Sequence, residues 1–185
     1  MEAIISIMRP FFEDPDKEFG IRELSRITGI NHTTVRIRLG RMVSEGLLKT
    51  RKSGTYKVYV VEFSKQYLNL KLYYNLEKIR KAGIVEFLER EFDYPVLVVF
   101  GSYSKSSDSK GSDIDLCLIS DSKRSARKEL LDDVFYTNKF GKVLGRGISM
   151  HAFTKDEFNA IEEKDPGFAN SVANGIVISG ELEIL

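Results

Sequence analysis

The run VLVVF at residues 96–100 is apolar at every position and stops abruptly at Gly101-Ser102. A short unbroken apolar run, rich in β-branched residues and closed by a turn-forming pair, reads as a buried strand. A second strand, DIDLCLIS at 113–120, follows a polar loop of Ser, Lys and Gly at 104–112. GISMHAF at 147–153 gives a third strand, 124–140 and 155–163 read as helices, and the tail carries a short apolar run, GIVIS. Strands interrupted by helices make this half α/β or α+β, with a mixed sheet and helices packed on it.

The region before Tyr94-Pro95 has a different rhythm. Residues 3–12 form a first helix, with Ile4, Ile7 and Met8 on one face. Residues 20–30 form a short helix with Ile21, Leu24 and Ile27 as its stripe and Gly29 at its end. Asn31 is placed to cap a third helix carrying Val35, Leu39, Met42 and Val43, which Gly46 stops. LLKT, a turn at Ser53-Gly54, and TYKVYVVEF alternate as a β-hairpin does. Residues 64–92 hold good helix formers, divided by Gly83: Leu68, Leu72, Leu76 and Ile79 mark the first helix, Ile84, Phe87 and Leu88 the second. The expected organisation is an N-terminal domain at 1–63, a helical linker at 64–92 and a C-terminal domain at 93–185.

Charge separates the two ends. The net charge is only +1, but residues 31–57 hold Arg36, Arg38, Arg41, Lys49, Arg51, Lys52 and Lys57 against one acid, Glu45. From residue 93 onward acids outnumber bases, so the two modules face different partners. Cys117 is the sole cysteine, which rules out an intramolecular disulfide and a Cys-based metal site, and its apolar strand makes it a buried thiol. No apolar run is long enough to span a membrane and no secretion signal opens the chain, so a cytoplasmic protein with no membrane partner is expected.

The chemistry concentrates in VVFGSYSKSSDSKGSDIDLCLIS. Gly101-Ser102 ends a strand and opens a helix, where backbone amides and the Ser102 hydroxyl form an anion site that the small glycine lets a phosphate approach. Asp113 and Asp115, one residue apart on a strand, share a face while Ile114, Leu116 and Leu118 point to the other. Two adjacent carboxylates repel unless a cation lies between them, and hard oxygen donors select Mg²⁺ or Mn²⁺, which in turn hold nucleotide phosphates.

The combination strand–GS–loop–SDIDL–strand resembles the signature of polymerase β-type nucleotidyltransferases, in particular the minimal nucleotidyltransferases of archaea and bacteria. The resemblance covers the last half of the chain. It implies that Gly101 and Ser102, with Ser112, bind the nucleotide, that Asp113 and Asp115 are catalytic and bind metal, and that ATP or another NTP is the substrate. The implied reaction is attack by a hydroxyl on the α-phosphate, releasing pyrophosphate. Such proteins are often antitoxins paired with a HEPN-type toxin, which makes a protein acceptor an expectation. The family's third carboxylate is missing: the corresponding strand, ISMHAF, has no acid and places His151 in that position. A neutral imidazole can take a proton or bind metal without supplying negative charge, and His151 can equally be a strand residue hydrogen-bonded to its surroundings.

The stretch from Ile21 to Phe63 resembles a winged helix-turn-helix of small prokaryotic transcription regulators, with Leu24, Ile30, Val35, Leu39, Met42, Leu47 and Tyr59 as anchors. Burying Val35, Leu39 and Met42 turns Thr33, Thr34, Arg36, Ile37 and Arg41 outward, with Arg38 flanking. Such a helix reads base edges in the major groove, while Arg51 and Lys52 on the wing, with Lys49 and Lys57, meet phosphates. Duplex DNA and a homodimer are the expected partners. Winged helices also serve as protein-interaction modules, and the C-terminal domain can be an active transferase or an inactive nucleotide sensor.

Overall fold

The computed structural model describes residues 2–122 and 140–182, so the helix expected over 124–140 lies almost wholly outside the described residues. The chain forms two compact units, Met1–Tyr74 and Asn75–Leu185.

In the first unit, α1 (Glu2–Glu13), α2 (Ile21–Thr28) and α3 (His32–Ser44) precede an antiparallel hairpin of β1 (Leu48–Ser53) and β2 (Tyr56–Val61). The Asn31 side chain accepts from the Thr34 amide at 2.9 Å, satisfying one of the donors that a helix start leaves over. Leu24, Val35, Leu39, Met42, Leu47 and Tyr59 are buried in one core with Ile7, Met8, Phe11 and Phe12, and Ile30 packs at its edge. Ile27 departs from the expected stripe and is 51% exposed. The α2 stripe keeps the buried Leu24 and the partly buried Ile21, which packs against the same core. The hairpin turn is Gly54-Thr55, between the paired Ser53 and Tyr56 and one residue later than expected.

α4 (Lys65–Lys81) belongs to both units. Its buried positions are Tyr67, Lys71, Asn75 and Ile79, whereas Leu68 and Leu76 are only partly covered. Burial thus recurs every fourth residue, one position ahead of the expected leucines, and the buried Asn75 amide is satisfied by the Tyr103 carbonyl and Asp108. Gly83 separates α4 from α5 (Ile84–Phe92), whose Ile84, Leu88 and Phe92 are buried.

The second unit is built on a four-stranded mixed sheet in the order β5-β4-β3-β6: β3 (Val96–Phe100), β4 (Ile114–Ile119), β5 (Ile148–Phe153) and β6 (Ile176–Ser179). β3 runs antiparallel to β4 and β6, and β4 runs parallel to β5. The apolar tail run is therefore an edge strand. One face of the sheet, with Leu97, Val99, Ile114, Leu116 and Leu118, packs against Ile84, Leu88 and Phe92. The other, with Val98, Phe100, Cys117 and Ile119, is covered by Phe158 of α7 (Lys155–Lys164) and by Phe168 and Val172 of α8 (Pro166–Ala173). α7 opens with a capping box between Thr154 and Glu157. Both faces being covered explains why VLVVF has no polar position. Burial pushes the Cys117 thiol up to about 12. Among the described residues, no helix is long and apolar enough to cross a membrane.

Candidate active site

The carboxyl end of β3 and the amino end of β4 meet where Phe100 pairs with Asp115. Gly101–Ser104 turns at once into a single helical turn, α6, so Gly101 and Ser102 lie beside Asp115. Alternation along β4 sends Ile114, Leu116 and Leu118 into the core, leaving Asp115 on the opposite face. A slip of one residue would drive that carboxylate into the apolar layer beneath α5 and exchange the side chains fitted to the two covered faces, so core packing fixes the register that presents the acid.

Two glycines make room for the two acids. Gly101 has φ +67, and an ideal β-carbon there would overlap Asp115 Oδ2 and stand 3.2 Å from its Cγ. A β-carbon on Gly147 would overlap Asp113 Oδ1 and stand 2.9 Å from its Cγ. Gly101 therefore makes room for the Asp115 carboxylate, a role its sequence context did not disclose. Gly147 was not expected at the site at all.

Burial raises the Asp115 pKa, the neighbouring His151 lowers it, and the negative charge of Asp113 raises it again. The two acids are thus close enough to feel each other's charge. Among the described residues no three His, Cys, Asp or Glu side chains gather into a metal-holding group. Two hard carboxylates suit Mg²⁺ or Mn²⁺ that takes its remaining oxygens from triphosphate and water, as Mg²⁺ sites commonly do. The donor set fits a nucleotide-borne metal rather than a protein-caged one.

His151 lies on β5 in register with Cys117, while Ser149 is the residue in register with Asp115. The Ser149 hydroxyl lies 3.2 Å from His151 Nε2. The imidazole packs against Phe168 and Phe100, with ring centroids 5.1 and 5.7 Å away. The Ser112 hydroxyl accepts from the Ser109 amide at 2.9 Å, which ties it into the loop. A cavity of about 570 Å³, lined by Phe92, Tyr94, Ile119, Asp121, Lys155 and Phe158 among others, opens at the other end of β3 and β4. It contains none of these groups, so this hollow and the chemistry do not coincide.

In the first unit Thr33, Arg36, Ile37, Arg41, Arg51 and Lys52 are exposed and Thr34 and Arg38 half-buried. Ile37, a large apolar side chain, is 66% exposed. Several cations have partners within the unit. Arg38 donates to the Ala3 carbonyl and Ser6 hydroxyl, both at 3.3 Å, Arg41 pairs with Glu45 at 2.6 Å, Lys49 with Glu62 at 3.3 Å, and Arg51 with Glu18.

The glycine-serine turn of α6 thus lies beside Asp115, with Asp113 one residue ahead of β4. A family model of nucleotidyltransferase domains matches residues 81–175, just over half of the chain and including every residue of this site. The chain belongs to the nucleotidyltransferase domain family. No curated protein matches it.

Proposed function

We propose that the protein transfers a nucleoside monophosphate, AMP in the first instance, from a metal-bound triphosphate to a hydroxyl acceptor. The observation that carries this reading is the pair Asp113 and Asp115 beside Gly101-Ser102, inside the segment that matches the family. Asp113 and Asp115 hold the cation, and the Ser102 hydroxyl with the α6 amides orients the phosphates. A bound Mg²⁺ or Mn²⁺ would supply the positive charge that stabilises the departing pyrophosphate. His151, on the face of Asp115, takes the proton of the attacking hydroxyl, and Ser149 orients its ring. Incubation with α-labelled ATP, Mg²⁺ and candidate acceptors tests this. Covalent label on an acceptor supports it, and its absence with every acceptor favours nucleotide binding without turnover. A protein hydroxyl, as on a HEPN-type toxin partner, is the first acceptor to try.

One observation favours that second reading: β5, Ile148–Phe153, carries no acid. The domain then binds nucleotide without consuming it, and the protein is a transcription regulator.

In either case Ser102→Ala is expected to weaken ATP binding by about 1 kcal/mol, the scale of one hydrogen bond. Calorimetric titration would show it, and unchanged affinity would leave α6 as a structural turn.

The first unit supports a winged helix-turn-helix that binds duplex DNA, since its three helices and hairpin present Thr33, Thr34, Arg36 and Ile37 on one exposed face of α3. Affinity is expected to fall steeply with salt as counterions are released. Arg36→Ala should lower discrimination between sites about 10- to 100-fold if it forks a base. Lys52→Ala should weaken all sequences alike and flatten the salt slope by about one. Gel-shift titrations across salt and genomic fragments measure all three, and salt-independent or absent binding points to a protein-interaction module. A homodimer on a two-fold DNA repeat completes the proposal, with the exposed Tyr73 on α4 available to a second copy.

A further inference from the structure

The loop at 104–112 that joins the two halves of the site is not secured by apolar packing. Its Asp108 is 1% exposed, and Arg146, just ahead of β5, is 7% exposed. The two form an ion pair at 3.7 Å with almost no access to water. Asp108 also accepts from Asn75 Nδ2 at 2.9 Å, and the same Asn75 amide donates to the Tyr103 carbonyl of α6 at 3.1 Å. Arg146 donates to the carbonyl of Ser109 and reaches that of Ser112 at 3.4 Å. Ser112 is the residue before Asp113, and Arg146 is the residue before Gly147, whose missing side chain leaves room for the Asp113 carboxylate. The Gly147 carbonyl in turn accepts from the Ile114 amide at 2.9 Å.

We propose that Asn75, Asp108 and Arg146 are positioning residues that hold Asp113 in place beside Asp115 before any cation or nucleotide arrives. The proposal rests on the transferase reading of this site. Two like charges at Asp113 and Asp115 would spread apart if the loop were slack, and no apolar side chain of the loop opposes that. Nη1 of the planar guanidinium meets two carbonyls of the loop while Nη2 faces Asp108, three partners that the single Nζ of a lysine cannot meet in the same geometry. Burying an arginine and an aspartate is costly, and their ion pair, the Asn75 hydrogen bond to Asp108 and the Arg146 bonds to the loop carbonyls offset that cost. A fixed site is what that arrangement secures. Hydrogen-bonded support behind a metal ligand typically governs cation affinity.

The test is Mn²⁺-ATP binding to the full chain, compared with ATP binding in EDTA. Arg146→Lys keeps the charge and removes the fork. It is expected to weaken Mn²⁺-ATP binding about tenfold or more, while leaving metal-free ATP binding at the α6 turn unchanged. A merely structural role would move both affinities together, and that result, or a folded Arg146→Lys protein with wild-type Mn²⁺-ATP affinity, overturns the proposal. If Arg146→Lys fails to fold, Asp108→Asn removes the ion pair's negative charge while its Oδ1 still accepts from Asn75 and α6 keeps its support, and the same two affinities decide in the same way. The parent reading has its own control, because wild-type protein that ignores Mn²⁺, or Asp113→Asn protein that binds Mn²⁺-ATP normally, overturns both.

Discussion

Asp115→Asn is expected to abolish metal-dependent ATP binding and to lower any nucleotidyl transfer by roughly 10²-fold or more, the scale of losing one preorganised electrostatic group of an active site. The fold should survive, with a melting temperature equal to or above that of the wild type. Burial and the charge of Asp113 both raise the Asp115 pKa, outweighing the opposite pull of His151, so the folded chain holds this proton more tightly than the unfolded chain does. The sign follows from proton linkage: this group's contribution to stability is greatest below the ordinary carboxylate range and is lost as pH rises through the raised folded pKa. The Asp115→Asn substitution would remove that loss, making the protein less sensitive to pH across the window just above the ordinary carboxylate pKa. Thermal melts against pH, beside Mn²⁺-ATP titrations, read both effects. A variant that binds Mn²⁺-ATP like the wild type would remove Asp115 from the site.

Gly101→Ala should do comparable damage by a different route. Its β-carbon would overlap the Asp115 carboxylate, and φ +67 is a conformation that alanine adopts at a cost. The expected loss of stability is about 1–3 kcal/mol, with Mn²⁺-ATP binding lost because the carboxylate must swing away. The two causes separate in a double-mutant cycle with Asp115→Ala, which removes the overlap and leaves only the backbone strain. The cost of Gly101→Ala should be smaller in that background. Equal costs with and without the Asp115 side chain would mean that the glycine serves the turn alone.

The parts of this molecule legible in the sequence are those set by apolar periodicity. VLVVF, the alternation of Ile114, Leu116 and Leu118, and the spacing of Val35, Leu39 and Met42 each mark buried positions, and all are buried except Val96, which is partly covered. Asp113, Asp115, Gly101 and Ser102 announce themselves because four unusual positions fall together in a short stretch. Arg146, Asp108 and Asn75 did not, since a buried polar residue looks like a surface one in a single sequence. Gly147 was hidden for a related reason: its purpose lies in a carboxylate 34 residues away in the chain. The leucines of α4 do not mark its covered face, because the polar Lys71 and Asn75 are buried one position ahead of Leu72 and Leu76.

β5 differs from its neighbours in one respect. Every one of its six side chains is only partly covered, and it stands at the margin of the sheet, whereas β3 and β4 are buried almost throughout. Truncation in β3 or β4 opens a void in close-packed surroundings, while the partly covered side chains of β5, His151 beside Phe100 and Phe168 among them, leave less behind when exchanged. On the proposed reading the cation would be held at the end of the most tightly packed strands and the proton by a residue of the partly covered β5. Such a division would let a lineage silence, restore or redirect the reaction at an outer strand while keeping the frame that the buried strands build.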